Sequence, residues 1–244
     1  LIKRYLRHAD KIFAVSDALK KALEQNGIKN VEVMHTGVDV SEYLVSSDNI
    51  VRFSEKYGLM DKRVILFAGR LNEAKGGGKI LETMVEVIKE IPNAILLVAG
   101  PLDEYALTME ERARNMGISN RLVFTGWIGP NEIKVAYAAA DIVSVPSLCF
   151  DSFPRIVLEA MACGKPVVGT CYGGAPEIIV DGVTGYFVNP FNVSIMSGKI
   201  IDLLSNPAKA HQFGDAGRKR VMEDFNQDDK INAILECYHE LLNH

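Results

Sequence analysis

The segment RVILFAGRLNEAKGGGKILETMVEVIKEIPNAILLVAG, residues 63–100, decides how the chain folds. Two short runs within it, RVILFAG (63–69) and AILLVAG (94–100), are apolar through their interiors. Strands covered on both faces read this way, whereas a strand with one wet face alternates. Between the runs, residues 77–90 follow a helical pattern. Strand, helix and strand in that order imply a right-handed crossover within a parallel sheet.

The alternation continues in both directions. Strand-like runs recur at KIFAV (11–15), VEVM (31–34), RLVFTG (121–126), DIVSVPS (141–147), KPVVGT (165–170) and GYFV (185–188). Helical patterns fill 16–26, 48–57, 106–116, 131–139, 154–163 and 192–205. The expected fold is α/β, a doubly wound parallel sheet of six strands over about residues 60–205. In such sheets ligands sit at the carboxyl ends of the strands, where strand order reverses. No repeat or low-complexity tract interrupts the pattern.

HTGVDVSEY (35–43) is turn-rich and reads as a linker. The chain opens in mid-pattern, LIKRYLRHADKIFAV, without an initiator Met, so we expect a fragment. The expected division is 1–37 as the end of a truncated domain, 38–59 as linker and connecting helix, 60–206 as the main domain, and 207–244 as C-terminal helices. The last two helices, 208–224 and 229–242, would wrap the main domain or cross to the absent one.

With 244 residues, 48% apolar and 24% charged, the composition is that of an ordinary globular protein. A net charge of −4 argues against a broad nucleic-acid surface. The four cysteines show no CxxC pair and read as reduced cytosolic thiols. No signal peptide and no bilayer-length apolar run is present. KRYLRH near the start is basic enough to suit an anionic membrane face, but remnant helix is the better reading. The five histidines (His8, His35, His211, His239, His244) form no metal spacing and read as surface or structural.

After the strand at 63–69 come Gly69, Arg70, Lys75 and Gly76–Gly78. Glycines let backbone N–H groups approach an anion, a helix N-terminus adds partial positive charge, and Arg and Lys add formal charge. A P-loop needs Gly at 74 and Ser or Thr at 76, where this chain has Ala74 and Gly76, so that reading fails. A flexible loop with surface cations and a phosphate site are equally matched on these residues alone.

The second motif is DSFPRIVLE, with Asp151 and Glu159 eight residues apart and Arg155 between them. Pro154 suits the first helical position, and Asp151 lies just before the helix, near its positive end. At 1.5 Å per residue the two acids stand roughly 10–12 Å apart along the axis, about the reach of an extended nucleoside diphosphate sugar. Most acid pairs at this spacing are accidental surface charge. No Asp-x-Asp occurs, which disfavours a metal-held diphosphate and leaves Arg70 and Lys75 as counter-charges.

GRL-x3-KG, D-x7-E, AMACGKPVVGT and GGAPEIIVDGVTGYFV occur in one order. Together they resemble the family-4 (group 1) retaining glycosyltransferases of GT-B fold. The resemblance covers roughly residues 9–240: a Rossmann-like C-terminal half with the end of the N-terminal half. Even VMHTGVDVSEY is similar to that family's interdomain linker. The resemblance implies donor-binding positions at Gly69, Arg70, Lys75, Trp127, Ile128, Asp151, Ser152, Phe153, Leu158 and Glu159. Arg70 and Lys75 would hold the donor diphosphate and Gly69 would let it approach. Asp151 would lie against the sugar, Ser152 and Phe153 would face it through backbone N–H groups, and Glu159 would bind the ribose. Leu158 would sit beside ribose or base, and FTGWIGPNEI (124–133) would line the base through Trp127 and Ile128. Arg70, Lys75 and Asp151 are thus the catalytic candidates. Asp151 departs from the usual Glu and is one methylene shorter, which bears on the sugar.

The implied activity is hexosyl transfer from an NDP-sugar, UDP- or GDP-linked, to an acceptor hydroxyl with retention, without metal or cofactor. The acceptor would be a glycan or lipid-linked sugar, at or near the cytoplasmic face of a membrane, with peripheral contact through the absent domain. The alternatives are an NDP-sugar-binding fragment inactive alone and, weaker, a sugar-nucleotide epimerase.

Overall fold

The computed structural model describes residue 6 and residues 8–242. The strands are β1 (Ile12–Ala14), β2 (Val31–Val33), β3 (Arg63–Ala68), β4 (Ala94–Ala99), β5 (Leu122–Gly126), β6 (Ile142–Val145), β7 (Val167–Thr170) and β8 (Gly185–Val188). The helices are α1 (Asp17–Gln25), α2 (Ser47–Lys56), α3 (Gly77–Glu90), α4 (Glu104–Asn115), α5 (Pro130–Ala139), α6 (Arg155–Ala162), α7 (Ala175–Ile178), α8 (Val193–Ser205), α9 (Pro207–Asp224) and α10 (Gln227–Leu242). Each strand-like run of the sequence is therefore a strand. Short α7 and three 3₁₀ turns are additions.

The main sheet has the order β5-β4-β3-β6-β7-β8, all parallel. Chain order runs outward from β3 one way and from β6 the other, so the reversal lies between β3 and β6. Alternate side chains of the central strands feed two separate cores. Val64, Leu66 and Val143 pack on one face with Tyr137, Leu158 and Met161. Ile65, Phe67 and Ile142 pack on the other with Ile80, Leu81 and Met84. The all-apolar reading of 63–69 and 94–100 follows from this double coverage.

β1 and β2 form a separate parallel pair, with Ala14, Ile28 and Val31 as its small core. The last two helices pack against different parts of the chain. α9 wraps the main domain, where Gly214 and Gly217 allow contact with Gly164 and Met161. α10 returns to the small sheet, its buried Cys237 meeting Lys11 of the β1 edge. At the α9–α10 junction Val38 donates its N–H to the Phe225 carbonyl at 3.0 Å and bridges Asn226. Among the described residues, no helix is long and apolar enough to cross a membrane.

Candidate functional site

Two adjoining cavities open at the carboxyl ends of β3, β4 and β6, beside the reversal of strand order. The smaller, about 260 Å³, is lined by Gly69, Arg70, Lys75, Ser147, Asp151, Phe153 and Arg155 among others. The larger, about 590 Å³, is lined chiefly by Pro101, Trp127, Ile128, Ile133, Tyr137 and Glu159. Ala68, Gly69, Arg70 and Ile156 line both, so the two form one continuous cleft. The small part carries the charge, and the large part is mostly apolar with one carboxylate.

Backbone geometry explains the join. Gly69 takes φ +108°, and a Cβ there would meet nothing within 4 Å, so the strand ends in an open turn that only glycine enters without strain. Its N–H is held by the Ala99 carbonyl at 2.9 Å, which places Arg70 at the rim. Arg70 is exposed and forms no ion pair among the described residues.

Lys75 has a partner already. Its Nζ lies 2.5 Å from Oδ2 of Asp151, with both side chains partly buried. The lysine is reached through a 3₁₀ turn, Glu73–Lys75, capped by Asn72, whose side-chain oxygen accepts from the Lys75 N–H at 2.9 Å. The glycines that follow play a different part from the one weighed above. Gly76–Gly78 are buried and line neither cavity. A Cβ at Gly76 would stand 2.1 Å from the Pro146 carbonyl oxygen, and one at Gly77 or Gly78 would strike Tyr105 or Arg112. Close packing against backbone requires glycine at 76, while at 77 and 78 the neighbours are side-chain ends.

The glycines of CYGGAPEI likewise serve packing, and they support the Asp151 loop. Gly173 has φ +66°, and a Cβ would fall 2.0 Å from the Asp151 carbonyl oxygen. Gly174 donates its N–H to that carbonyl at 2.9 Å. Pro154 is the cap of α6 rather than its first residue, and the helix begins at Arg155.

Glu159 lies one turn into α6. Its Oε2 accepts a 2.8 Å hydrogen bond from the hydroxyl of Tyr137, which is 1% exposed. Arg155 Nε stands 3.6 Å from Oε1. Burial and the adjacent carboxylate drive the Tyr137 phenol pKa well above its ordinary value, so it remains a proton donor. Burial, with Glu159 nearby, raises Tyr43 as well. Burial also pushes the Cys163 thiol up to about 12, which makes it an inert packing group.

Of the ten residues expected at the site, eight line the cleft: Gly69, Arg70, Lys75, Asp151 and Phe153 in its small part, Trp127, Ile128 and Glu159 in its large part, with Gly69 and Arg70 common to both. Trp127 is 75% exposed at the rim. Two of the ten lie off the cleft wall. Leu158 is 0% exposed and belongs to the core, because it projects from α6 toward the sheet; Ile156 takes its place in the cleft. Ser152 lines neither part; its carbonyl packs against Gly174. Tyr137 carried no signal in sequence, since a tyrosine among alanines (YAAAD) reads as a packing residue.

His35 is also placed unexpectedly. It stacks on Phe153, ring centroids 5.0 Å apart, and meets Phe225 edge-on at 5.6 Å. Its Nε2 lies 3.2 Å from Glu177 Oε2. That carboxylate accepts the Asp17 and Ala18 N–H groups at 2.8 and 2.9 Å, capping α1 from outside its own segment. Asp17, His35 and Glu177 bring potential metal-ligand atoms within 4.8 Å of one another, a grouping that sequence spacing hid. Both Glu177 oxygens already serve the helix N-terminus, so the cluster has a structural task.

Comparison with known proteins bears on what this cleft belongs to. The family model "Glycosyl transferases group 1" matches residues 49–220. A GDP-mannose-dependent alpha-(1-6)-phosphatidylinositol monomannoside mannosyltransferase of Mycolicibacterium smegmatis is 31% identical over 201 residues, 80% of this chain and 52% of that protein. A crystal structure of Anabaena HepE with UDP-glucose superposes with TM-score 0.91 at 24% identity, covering 98% of this chain and 66% of that one. Sucrose-phosphate synthase of Thermosynechococcus elongatus superposes with TM-score 0.86 at 26% identity, covering 99% of this chain and 61% of that one. The chain spans about half the length of the mannosyltransferase and 59% of the next curated relative, an uncharacterized glycosyltransferase of Methanocaldococcus jannaschii. A parallel six-stranded sheet with its cleft at the strand-order reversal, a family match over most of the length, and superposition on GT-B structures agree: the chain belongs to the group 1 glycosyl transferases.

Proposed function

We propose that this chain is the nucleotide-sugar donor half of a GT-B glycosyltransferase, and that the whole enzyme passes a hexosyl group from an NDP-sugar to an acceptor hydroxyl with retention. One observation carries the proposal. The cleft pairs a small charged chamber with a larger apolar one, joined at Gly69 and Arg70. A sugar and diphosphate suit the first, and a nucleoside suits the second.

In this reading the base packs against Trp127 and Ile128, and the ribose lies at Glu159. The diphosphate crosses the Gly69 turn, and the sugar reaches Asp151. Transfer breaks the bond between the anomeric carbon and the diphosphate oxygen, the acceptor oxygen forms the new one, and the acceptor's proton leaves with the departing diphosphate. Negative charge develops on the leaving diphosphate, where Arg70 and Lys75 stabilise it electrostatically. No metal or cofactor is called for, because these two cations supply the charge. Asp151, held by Lys75, positions the sugar rather than attacking it. Residues 1–37 would then belong to the acceptor-side domain and 38–59 to the connection. A glycan or lipid-linked acceptor, and the cytoplasmic face of a membrane, complete the proposal. The nucleotide is UDP or GDP, as in the HepE complex and the mycobacterial mannosyltransferase.

Because the chain spans about half of its mannosyltransferase relative, a donor-binding module without turnover is the second reading. Calorimetric titration with UDP-glucose, GDP-mannose, UDP and GDP tests both. Binding that disappears in the Arg70→Ala, Lys75→Ala double variant supports the donor site. Absence of binding in every series, or affinity unchanged by the double variant, rejects it. Transfer to an added acceptor by this chain alone excludes the inactive-module reading.

A further inference from the structure

We infer that Tyr137 is a positioning residue that sets the carboxylate of Glu159 for the ribose hydroxyls, so that the cleft reads the sugar of the nucleoside through a second, buried side chain. This rests on the donor-site reading above.

Tyr137 lies in the last turn of α5, is 1% exposed, and also lines the large chamber beside Glu159. Its hydroxyl has a single hydrogen-bond partner among the described residues, Glu159 Oε2 at 2.8 Å. A phenol O–H on a carboxylate is a charge-assisted bond, stronger and more directional than a neutral one. The shift of the phenol above its ordinary pKa keeps the proton on Tyr137, so the direction of donation is fixed. One oxygen of Glu159 is thereby committed. The other, Oε1, has only Arg155 Nε at 3.6 Å, from a side chain that is itself half exposed. Oε1 is therefore the acceptor available to a ligand hydroxyl.

The remaining wall strengthens the assignment. Ala99, Pro101, Trp127, Ile128, Pro130, Ile133 and Ile156 offer no side-chain group that pairs with a base edge, apart from the distal indole N–H. Arg70, at the junction with the small chamber, is the cation of this wall and belongs to the diphosphate in the donor-site reading, which leaves Glu159 as its acceptor for a ligand hydroxyl. A carboxylate on two or three rotatable bonds loses entropy when it orders on a ligand, and one already held by a buried phenol loses less. Tyr137 would thus act on affinity without touching the nucleotide base.

The test is Tyr137→Phe, which removes one oxygen and keeps the ring. Binding of UDP and GDP is compared with that of their 2′,3′-dideoxy forms by calorimetry, with the melting temperature of each protein recorded. The expected result is a loss of about tenfold in affinity for the ribonucleotide that binds, equivalent to about 1.4 kcal/mol. The dideoxy form should lose little, so the ribo/dideoxy preference shrinks. In a Glu159→Gln background the same substitution should leave that preference nearly unchanged. Equal losses for both forms would show Tyr137 acting as packing alone and overturn the inference. So would an unchanged ribo/dideoxy ratio. Failure of the unaltered chain to bind any nucleotide would instead remove the donor site itself, and this inference with it.

Discussion

Lys75 and Asp151 meet across the small chamber, ammonium Nζ 2.5 Å from carboxylate Oδ2, 76 residues apart in the chain. The basic loop after β3 and the loop before α6 are thus joined by side chains as well as by backbone, where Leu148 donates its N–H to the Ala74 carbonyl at 2.8 Å. In the proposed donor site, a diphosphate would compete with Asp151 for Lys75. A sugar at Asp151 would relieve the competition and so couple the sugar to the phosphate that carries it.

Opposite effects of two substitutions follow. Lys75→Ala should weaken binding of UDP or GDP by about 10–100-fold, the worth of a hydrogen bond to a charged group. Asp151→Asn should instead tighten the free diphosphate by several-fold, on the order of 1 kcal/mol, because Lys75 is released and a negative charge is gone. The same variant should lose preference for NDP-sugar over NDP. Calorimetry on the three proteins reads all of this, and weaker NDP binding by Asp151→Asn would refute the competition.

Trp127 is the sole tryptophan of the chain and stands 75% exposed at the rim of the large chamber. Its fluorescence should therefore report the base directly. UDP or GDP should quench or shift the emission, and inorganic pyrophosphate should not. Trp127→Ala should weaken nucleotide binding about two- to tenfold, the range of one aromatic stacking contact. An emission change with pyrophosphate equal to that with UDP would place the base elsewhere.

Two glycines with nearly the same left-handed backbone should differ in cost. Gly182 has φ +72° with open space where a Cβ would stand, so Gly182→Ala should cost about 1–2 kcal/mol of conformational strain. Gly173→Ala adds a collision 2.0 Å from the Asp151 carbonyl oxygen and should cost about 2–5 kcal/mol once the overpacking is included. It should also weaken nucleotide binding, since the displaced segment carries Asp151. Urea denaturation of both variants separates strain from collision.

Glu177 caps α1 across 159 and 160 residues of sequence separation. Glu177→Ala should cost about 1–2 kcal/mol, as loss of a helix N-cap does, and more if His35 shifts from Phe153. In a chain of this size that is a fall of about 2–4 °C in melting temperature per kcal/mol. Glu177→Gln keeps one acceptor oxygen and should fall between. Unchanged melting in both would mean that the cap contributes nothing.

Acid sensitivity has an identifiable contributor in Asp202. The Lys209 ammonium at 2.6 Å, with the Tyr186 hydroxyl at 2.8 Å, holds its carboxyl below the ordinary 3.8. A folded-state pKa below the unfolded one gives stability that is present above 3.8 and is lost as pH falls through the depressed value. Asp202→Asn should thus be less stable than the unaltered chain at pH 7. The difference in melting temperature should narrow below the ordinary carboxylate range. A gap that widens on acidification would contradict the assignment.

Much of this molecule was legible one residue at a time. Alternating strand-like runs and helical stretches marked the eight strands, and most clearly β3, β4, β6 and β7, because a strand buried on both faces has no choice but largely apolar character. Gly69, Arg70, Lys75, Asp151 and Glu159 were marked as a site by the resemblance carried in GRL-x3-KG and D-x7-E, since local geometry alone left the loop and the acid pair undecided. Tertiary structure alone decided which groups meet. The Lys75–Asp151 pair, the Tyr137 hydroxyl on Glu159, His35 stacked on Phe153 and the Glu177 cap on α1 join segments 22 to 160 residues apart. Such contacts depend on strand order and helix packing, which no local pattern encodes. The same reason moved Leu158 into the core and brought Ile156 to the cleft: two residues on one helix differ by about 200° in facing, and only the sheet beneath says which of them is inside.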